Sequence, residues 1–406
     1  MVSEPQFEDQ QLFGRRLKDN TSLPFFEAVQ VLAPEIMARA QEFESLRRMP
    51  ADMARTLAKA GLYRLLVPKH LGGAELNLHD YVQLIQQISH SDGSAGWCLM
   101  IGSLGGALAA WLPKDGAREI FASDPEVIIG GAAAPPGRAR PVEQGYLVSG
   151  RWQWGSGSQN CSWMSGGSLI FDGERPRLLA SGAPEIRLVF YPAHEGKILD
   201  TWDASGLRGT GSHDFQIEDL FIPEAHTLEM TASAVVERPL YQFPIVALFA
   251  LGPCSVALGI ARRAIDEFIE LAANKSPTFE RRTLAQSPRV QGFVAEAQAA
   301  TRSANAFLHE AIDNAWEVTL SGGRLTLKAR RDIRLAAANA TWQSAKSVDL
   351  VYHAAGGSAV HSRSPLQRCF RDVHTITQHA FVNQSVFEQI GCSYLSTAAT
   401  ELLPDL

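Results

Sequence analysis

Apolar residues in the first third of the chain recur with the spacing of amphipathic helices. Every third or fourth position is hydrophobic over long stretches, which is the period of one helix face. A proline and the pair Gly72-Gly73 interrupt this pattern. The spacing predicts four helices, over Pro24–Phe43, Ala51–Leu66, Leu78–Ser89 and Ser94–Leu112.

The pattern changes near Asp124 to short runs of β-branched and aromatic residues, separated by glycine and proline. Runs of this kind at short intervals are typical of a β sandwich or a small barrel. Because side chains alternate along a strand, we expect Trp152 and Trp154 on the same face. The predicted strands are Val127–Ile129, Tyr146–Ser149, Trp152–Trp154, Ser168–Phe171, Ile186–Tyr191 and Phe215–Ile222.

Helical spacing returns from about Pro244, with Ala, Leu and Val at intervals that suit a bundle. The predicted helical segments are Ile245–Leu271, Arg289–Leu320, Arg324–Ala354 and Pro365–Gln389. The order of helices, strands and helices predicts an α+β fold. We expect an N-terminal helical domain (1–123), a middle β-barrel or sandwich domain (124–236) and a C-terminal four-helix bundle (237–406).

Charge and composition narrow the class of protein. The chain has 406 residues and a net charge of −6, so no basic excess exists to neutralise nucleic-acid phosphates. The five cysteines are scattered and form no CxxC pair, which favours free thiols in the cytoplasm. Residues 1–16 are polar and acidic, so we expect no signal peptide. The apolar run Ile245–Leu258 is broken by Gly252-Pro253 and predicts a buried helix, not a membrane span.

Two common kinds of site are not indicated. The sequence contains no GxGxxG or GxxxxGK[ST] in a strand–turn–helix context. It also lacks an HExxH pair, and His374 and His379 would lie about 140° apart on a helix. We therefore expect no bound metal.

A compact group of indole, hydroxyl and glycine residues remains, in G-R-W-Q-W-G-S-G from Gly150 to Gly157. An indole is a flat apolar surface for a flat ring system, and a nearby hydroxyl can hydrogen-bond a ring nitrogen. Two tryptophans packed in the core of the β domain would explain the same residues.

The chain resembles the acyl-CoA dehydrogenase superfamily from about Pro50 to Gly391. The G-R-W-Q-W-G-S-G segment is similar to a family strand that lies on the flavin. Four further segments occur in the family's order: Gly206–Ser212 at the exit from the β domain, Arg281–Ala285, Ala354–Ser358, and Arg371–His374.

The resemblance implies a set of flavin-binding residues. Trp154 would lie against the isoalloxazine, and Ser156 would hydrogen-bond flavin N(5). Ser212, Arg281, Gly356 and Gly357 would also bind the cofactor. In the family the arginine reaches the pyrophosphate in a neighbouring subunit, within a homotetramer. The family's R-x-x-F-G is R-x-x-L-A here, which leaves FMN and FAD both open.

An acyl-CoA dehydrogenase needs a carboxylate to remove the substrate α-proton. In most members it lies nine residues after the Arg of the R-D motif, and that position is Ala380. In a minority it lies about eight residues before a G-P pair, near Ile245, and no acidic residue occurs from Leu240 to Pro253. Neither position can supply the base, so desaturation is not expected.

The sequence R-D-V-H-x-x-x-Q-H is instead similar to the oxygenase components of two-component flavin monooxygenases. In that group reduced FMN or FAD arrives from a separate reductase and reacts with O2 to form a C(4a)-hydroperoxide, which hydroxylates an aromatic or polycyclic small molecule, often in aromatic catabolism. The resemblance implies that His379 and Ser156 are catalytic. Trp97, Ser103 and His374 are the candidates for the substrate pocket.

Two other functions stay open at this point. One is an acyl-CoA dehydrogenase or oxidase whose base lies elsewhere, and the other is a non-catalytic flavin-binding protein. His379 could equally be a surface histidine, Trp97 a core residue and His374 a structural one.

Overall fold

The computed structural model describes residues 21–229, 232–278 and 281–395. The polar segment 1–16 lies outside these residues. The chain runs through an N-terminal group of helices, a central sheet and a C-terminal group of helices, so the predicted fold class is confirmed.

Between residue 21 and the sheet, the structure describes five helices. Each of two consecutive helices begins at a residue whose side chain accepts a hydrogen bond from the first turn: Asn77 accepts from the Asp80 amide at 3.0 Å, and Asp92 from the Ala95 amide at 2.9 Å. The bounds are α1 Leu23–Leu46, α2 Ala51–Lys59, α3 Leu78–Ser91, α4 Gly93–Ala107 and α5 Lys114–Phe121.

The prediction of one helix over Ala51–Leu66 was wrong. Helix α2 ends at Lys59, and Gly61 then takes a left-handed conformation at φ 73°. A single 3₁₀ turn over Leu62–Arg64 follows. Helix α5 was not predicted at all.

The small residues of α4 allow neighbouring segments to pack closely against two faces of this helix. A Cβ on Gly102 would lie 2.4 Å from the Tyr63 ring, and one on Gly96 would overlap the Ser89 hydroxyl. Glycine is therefore required where α4 crosses the turn after α2 and the end of α3.

The described part of the middle region is an eight-stranded sheet, in which seven strands follow the order β6-β7-β2-β1-β3-β5-β8 and β4 pairs with β3. Residues from five of these strands share one core, in which Trp152 stacks on Phe215 with ring centroids 5.3 Å apart. The bounds are β1 Ile129–Val142, β2 Gly145–Gly155, β3 Trp163–Asp172, β4 Arg175–Pro176, β5 Ile186–Pro192, β6 Lys197–Leu199, β7 His213–Pro223 and β8 Thr227–Glu229.

The expectation that Trp152 and Trp154 share a face was wrong. The register between β2 and β7 shifts between Trp152 and Gly155, and Trp154 has φ 62°. This irregularity adds a residue and ends the strict alternation. Trp152 is fully buried, whereas Trp154 is 64% exposed.

The described residues after the sheet, up to residue 395, form six helices. Three long ones pack side by side, and α10 packs on two of them. The predicted segment Pro365–Gln389 is two helices, because a turn follows Ile376 and Asn383 then accepts the Ser385 amide at 3.1 Å. The bounds are α6 Pro239–Gln242, α7 Ile245–Asn274, α8 Pro288–Leu320, α9 Leu327–Ala355, α10 Pro365–Ile376 and α11 Gln384–Leu395.

Two stretches, Gly93–Ala110 and Ile245–Asn274, are long and apolar enough to cross a membrane by length and composition. Their most apolar windows are 94% and 78% buried inside the fold. Burial of this extent is what core helices show, and α7 does pack against α3, α9 and α10.

Candidate active site

A chain of hydrogen-bonded hydroxyls lies where α4, the end of β2 and the start of β7 meet. The indole Nε1 of Trp97 donates to Ser156 Oγ at 3.0 Å. Ser156 Oγ lies 2.7 Å from Ser212 Oγ, which lies 2.6 Å from Thr210 Oγ1. Thr210 Oγ1 donates to the Leu207 carbonyl at 2.8 Å. We call Ser156, Ser212, Thr210 and the Leu207 carbonyl the hydroxyl relay.

The backbone fixes the position of the relay. The Gly157 amide donates to the Thr210 carbonyl at 2.8 Å and joins the turn after β2 to the turn before β7. The Ser156 amide donates to the Trp154 carbonyl at 2.8 Å, which closes a tight turn. The left-handed Gly157 (φ 71°) ends that turn, so the three hydroxyls are held by main-chain bonds and not by their own contacts alone.

His379 lies beside Trp97 in the turn between α10 and α11. The two rings meet edge to face, with centroids 5.4 Å apart and planes at 76°. The Phe381 amide donates to Nδ1 of His379 at 3.4 Å, which favours the tautomer with hydrogen on Nε2. His379 therefore presents an N–H donor next to the indole.

Aromatic side chains continue outward from His379. The Phe381 ring is 5.4 Å from the imidazole, and Phe249 of α7 is 6.2 Å from Phe381. Both phenylalanines are half-buried. The group therefore offers an apolar wall with part of its surface open.

His379 has no acidic neighbour that affects it. Burial lowers the pKa of its imidazole to about 4, and no other cause contributes among the described residues. Although part of the residue reaches solvent, its ring lies among Trp97 and Phe381. The imidazole is therefore neutral near pH 7. We call Trp97, Ser156, His379 and Phe381 the neutral site.

The two positions of the family's base carry no acid in the structure either. Ala380 is exposed in the turn directly after His379, and Ile245 is half-buried at the first position of α7. Each position therefore presents a methyl or aliphatic group where the family has a carboxylate.

The other predicted site residues lie elsewhere on the protomer. Ser103 is fully buried and donates to the Leu62 carbonyl at 3.2 Å, inside the N-terminal region. His374 lies 2.8 Å from Asp349 and packs on Phe370. Neither joins the neutral site, because one faces the helix core and the other faces α9.

Arg281, Gly356 and Gly357 are exposed. Arg281 is in the loop after α7, and the two glycines end α9. Lys275 connects these two segments, since its Nζ donates to the Ala355 carbonyl at 2.7 Å and its carbonyl accepts from the Leu284 amide at 2.8 Å. They form a surface of their own, away from the neutral site.

Trp154 is exposed at the turn that carries Ser156, two residues before it. Its indole has no partner of the kind that Trp152 has in the sheet core, where the Trp152 Nε1 donates to the Gly167 carbonyl at 2.7 Å. An exposed indole of this size remains available to a flat ligand.

Sequence reasoning missed Thr210 and Phe381 as parts of the site. Thr210 lies in G-T-G-S, two residues before the predicted Ser212, so a search for paired hydroxyls across two loops could have found it. Phe381 gave no signal, because one phenylalanine in an apolar region is usually a core residue.

A group of buried and half-buried charged residues lies along α10, before the turn that carries His379. Arg371 forms two hydrogen bonds to Glu44, at 2.7 and 3.0 Å, and Arg368 lies 3.8 Å from Asp92. Asp372 accepts the Leu207 amide at 2.6 Å. We call these five side chains the charged junction, because they join α1, the start of α4 and α10.

Both aspartates of the charged junction are hard to ionise. Burial, and then the nearby Asp92, raise the pKa of Asp372 to about 7. Burial also raises the pKa of Asp92, although Arg368 lies beside it. Leu207 links the junction to the relay, because its amide donates to Asp372 and its carbonyl accepts from Thr210.

The neutral site suits a flat, nitrogen-rich ring system such as a flavin. Ser156 offers an acceptor, His379 a donor, and the aromatic rings an apolar surface. None of the four residues of the neutral site carries a carboxylate, and the Nδ1 of its imidazole already accepts the Phe381 amide.

Comparisons with known proteins agree with this arrangement. Residues 26–115 match the sequence profile of the acyl-CoA dehydrogenase N-terminal domain, and residues 251–384 match that of the acyl-CoA dehydrogenase C-terminal domain. Together these two stretches cover more than half of the chain.

Among curated relatives, an indole-3-acetate monooxygenase of Pseudomonas putida is 33% identical over 357 residues, which are 88% of this chain and 90% of the relative. A flavin-dependent monooxygenase oxygenase subunit, HsaA, of Rhodococcus jostii is 29% identical and covers 87% of this chain and 93% of the relative. The crystal structure of a 3-HSA hydroxylase from Rhodococcus sp. RHA1 superimposes with a TM-score of 0.84 at 26% identity, over 91% of this chain and 96% of that chain.

Proposed function

The chain belongs to the acyl-CoA dehydrogenase family, and from that premise we propose that it is the oxygenase component of a two-component flavin-dependent monooxygenase that hydroxylates a small aromatic molecule. The separate reductase and the aromatic substrate follow from the kind of enzyme to which the relatives belong. O2 is the second substrate.

One observation of the molecule carries the proposal. Neither position from which the family abstracts an α-proton carries a carboxylate, because these positions are Ala380 and Ile245. The nearby His379 is poorly placed to substitute, because its Nδ1 already accepts the Phe381 amide and its other ring nitrogen presents an N–H. Desaturation of a thioester has no base here, whereas oxygenation of an aromatic ring does not need one.

Reduced flavin, when bound, would supply the electrons that activate O2. The chain's own residues would orient it: Ser156 would accept a hydrogen bond from the flavin at N(5), and Trp97 would hold the serine in place. His379 would donate its Nε2–H to an oxygen of the reactants. The apolar rings around these groups would exclude water from the reaction.

The finer cofactor and assembly assignments extend this proposal. Trp154 would cover the flavin ring, and Arg281, Gly356 and Gly357 would bind its phosphate-bearing tail in a neighbouring subunit of a homotetramer. Their exposure on the protomer supports such a shared site. Because Leu284 and Ala285 replace the family's Phe and Gly after Arg281, we expect FMN to bind at least as well as FAD.

Product analysis under ¹⁸O2 tests the proposal. Purified protein is supplied with FMN reduced by a separate reductase and with indole-3-acetate as the probe substrate, since a relative acts on it. One ¹⁸O atom in the product, detected by mass spectrometry, is the expected result. A set of phenols and fused heteroaromatics extends the probe if indole-3-acetate is not accepted.

The competing activity is measured with the same preparation. Octanoyl-CoA and an artificial electron acceptor should give no enoyl-CoA. Formation of enoyl-CoA, without ¹⁸O incorporation into any aromatic probe, would assign the protein to the dehydrogenases and overturn the proposal.

A further inference from the structure

The direction of every hydrogen bond in the hydroxyl relay can be assigned by counting hydrogens. Each hydroxyl carries one hydrogen, and a carbonyl can only accept. The bond from Thr210 to the Leu207 carbonyl therefore uses the hydrogen of Thr210. In the next bond, Ser212 must then be the donor to Thr210.

The same count fixes Ser156. Because the hydrogen of Ser212 goes to Thr210, Ser156 must donate to Ser212. Ser156 also accepts from the Trp97 indole, which can only donate. Its hydroxyl oxygen is left with one lone pair, and Ser156 can meet a further ligand only as an acceptor.

The opposite direction is less favourable. If Thr210 donated to Ser212 and Ser212 to Ser156, the bond from the Thr210 hydroxyl to the Leu207 carbonyl would be lost. The hydrogen of Ser156, in a residue only 5% exposed, would then need a new acceptor. Reversal costs about one neutral hydrogen bond, which corresponds to about a 3- to 10-fold change in an equilibrium constant.

We infer that the hydroxyl relay selects the redox state of the flavin, because it holds Ser156 as an acceptor. This inference rests on the proposed function. The central nitrogen N(5) carries a hydrogen in the reduced flavin and only a lone pair in the oxidised one. Reduced flavin can donate its N(5) hydrogen to Ser156 without any change in the relay. Oxidised flavin can form a hydrogen bond to Ser156 only after the donor and acceptor roles within the relay are exchanged.

The residues that determine this preference are Ser212 and Thr210, neither of which needs to touch N(5). Without the Ser212 hydroxyl, Ser156 can donate its hydrogen to N(5) of oxidised flavin or accept the hydrogen of N(5) in reduced flavin. Without the Thr210 hydroxyl, reversal no longer sacrifices the bond to Leu207. The preference thus depends on the whole relay, and the loss of either member should remove it.

The test is a pair of anaerobic binding titrations, with oxidised FMN and with photochemically reduced FMN, on the full-length protein. In the wild type the reduced form should bind more tightly. In Ser212→Ala and in Thr210→Val the ratio of the two dissociation constants should fall by about 3- to 10-fold, chiefly because oxidised FMN binds better. Thr210→Ser, which keeps the hydroxyl, should retain the wild-type ratio.

Ser344→Ala is the matched control for the loss of a buried hydroxyl. Ser344 is fully buried in α9, and its hydroxyl donates to the Ala340 carbonyl of the same helix at 2.7 Å. Thermal unfolding of each variant shows whether it is folded, and the two relay variants give independent chances of a folded sample.

The outcomes separate the two proposals. An unchanged ratio in both folded relay variants overturns the inference, while flavin binding by the wild type leaves the proposed function standing. If the wild type binds neither form of FMN or FAD, both fail together. A lowered ratio in Thr210→Ser or Ser344→Ala would show that the ratio reports packing and not hydrogen-bond direction, and would also overturn the inference.

Discussion

Helix α10 and the turn after it place opposite kinds of environment within a short stretch of chain. At the charged junction, Asp372 and Asp92 are buried carboxyls beside Arg368. Seven residues after Asp372, the neutral site has an imidazole, a hydroxyl and aromatic rings. Both regions are desolvated, and burial shifts the pKa in each.

The difference shows which parts of this fold contain buried acidic side chains. The chain does bury carboxyls, so the lack of one beside His379 is not a general feature of its core. The two buried acids stabilise local structure, because Asp92 caps the N-terminus of α4 and Asp372 accepts the Leu207 amide. The reaction site, in contrast, has no side chain that carries charge near neutral pH.

The largest effect is expected from removal of Arg368, the cation beside the two aspartates. Arg368→Met should leave Asp92 and Asp372 without a counterion and lower the free energy of unfolding by about 3 kcal/mol at pH 8. Urea unfolding measures this change. The loss should be smaller at pH 5.5, where Asp372, whose pKa is about 7, is protonated.

A surface pair gives the matched control for this variant. Arg140 lies 3.1 Å from Asp219, and both side chains are more than half exposed. Arg140→Met should change the free energy of unfolding by less than about 1 kcal/mol. Equal losses in the two variants would show that the charged junction behaves like solvated surface charge.

The pH dependence of Asp372→Asn gives the next effect in size. The pKa of Asp372 is raised from 3.8 to about 7 on folding, so its contribution to stability is complete below about pH 3.8 and is lost as the pH rises through 7. Asparagine does not titrate but can still accept the Leu207 amide. The wild type should therefore lose stability relative to the variant between pH 4 and pH 8.

Denaturant unfolding across this pH range measures the difference. Asp115 is exposed in the first turn of α5, and Asp115→Asn is the control that should follow the wild type. A constant difference between the wild type and Asp372→Asn would mean that the Asp372 carboxyl titrates alike in the folded and unfolded chain.

An acidic side chain introduced into the neutral site tests whether the absence of acid matters for the reaction. His379→Asp brings a carboxyl beside Trp97, where burial favours its protonated form. We expect about a 10-fold lower ratio of product to reduced flavin consumed, with hydrogen peroxide making up the balance. Simultaneous assays of product and peroxide give this ratio.

His379→Asn is the neutral partner of that variant, since an amide keeps a hydrogen-bond donor without an acid. It should keep more of the product yield than His379→Asp. If the two variants release the same fraction of peroxide, the missing imidazole is responsible and the absence of acid is not what matters at this site.

The smallest effect is expected from pH itself on the wild-type reaction. Because the pKa of His379 is lowered to about 4, its charge does not change between pH 6 and pH 8. The product yield per reduced flavin should vary by less than about 2-fold over this range. A break near pH 6.5 that disappears in His379→Asn would show an imidazole with an ordinary pKa.

Periodicity and composition were sufficient for the fold class. The α7 and α8 helices were predicted to within a few residues, because long amphipathic runs give a strong signal. The interruptions after Lys59 and Ile376 were missed. Each depends on a local event, the left-handed Gly61 in one case and the Asn383 cap in the other, that the hydrophobic period does not contain.

The sequence by itself determined which residue types the site can use. Ala380 and Ile245 exclude the carboxylate base at both of its known positions, and the family motifs identified Ser156, Ser212 and His379 as candidates. These conclusions need only the identity of residues, since an alanine cannot titrate in any fold.

Only the tertiary structure decided which candidates meet and in which protonation and hydrogen-bonding state. In the structure, Trp97 binds Ser156 directly and Thr210 is linked to it through Ser212. An irregularity in β2 separates Trp154 from Trp152. Ser103 lies in the helix core. Hydrogen-bond direction and pKa depend on neighbours within a few ångströms, and those neighbours come from segments far apart in the chain.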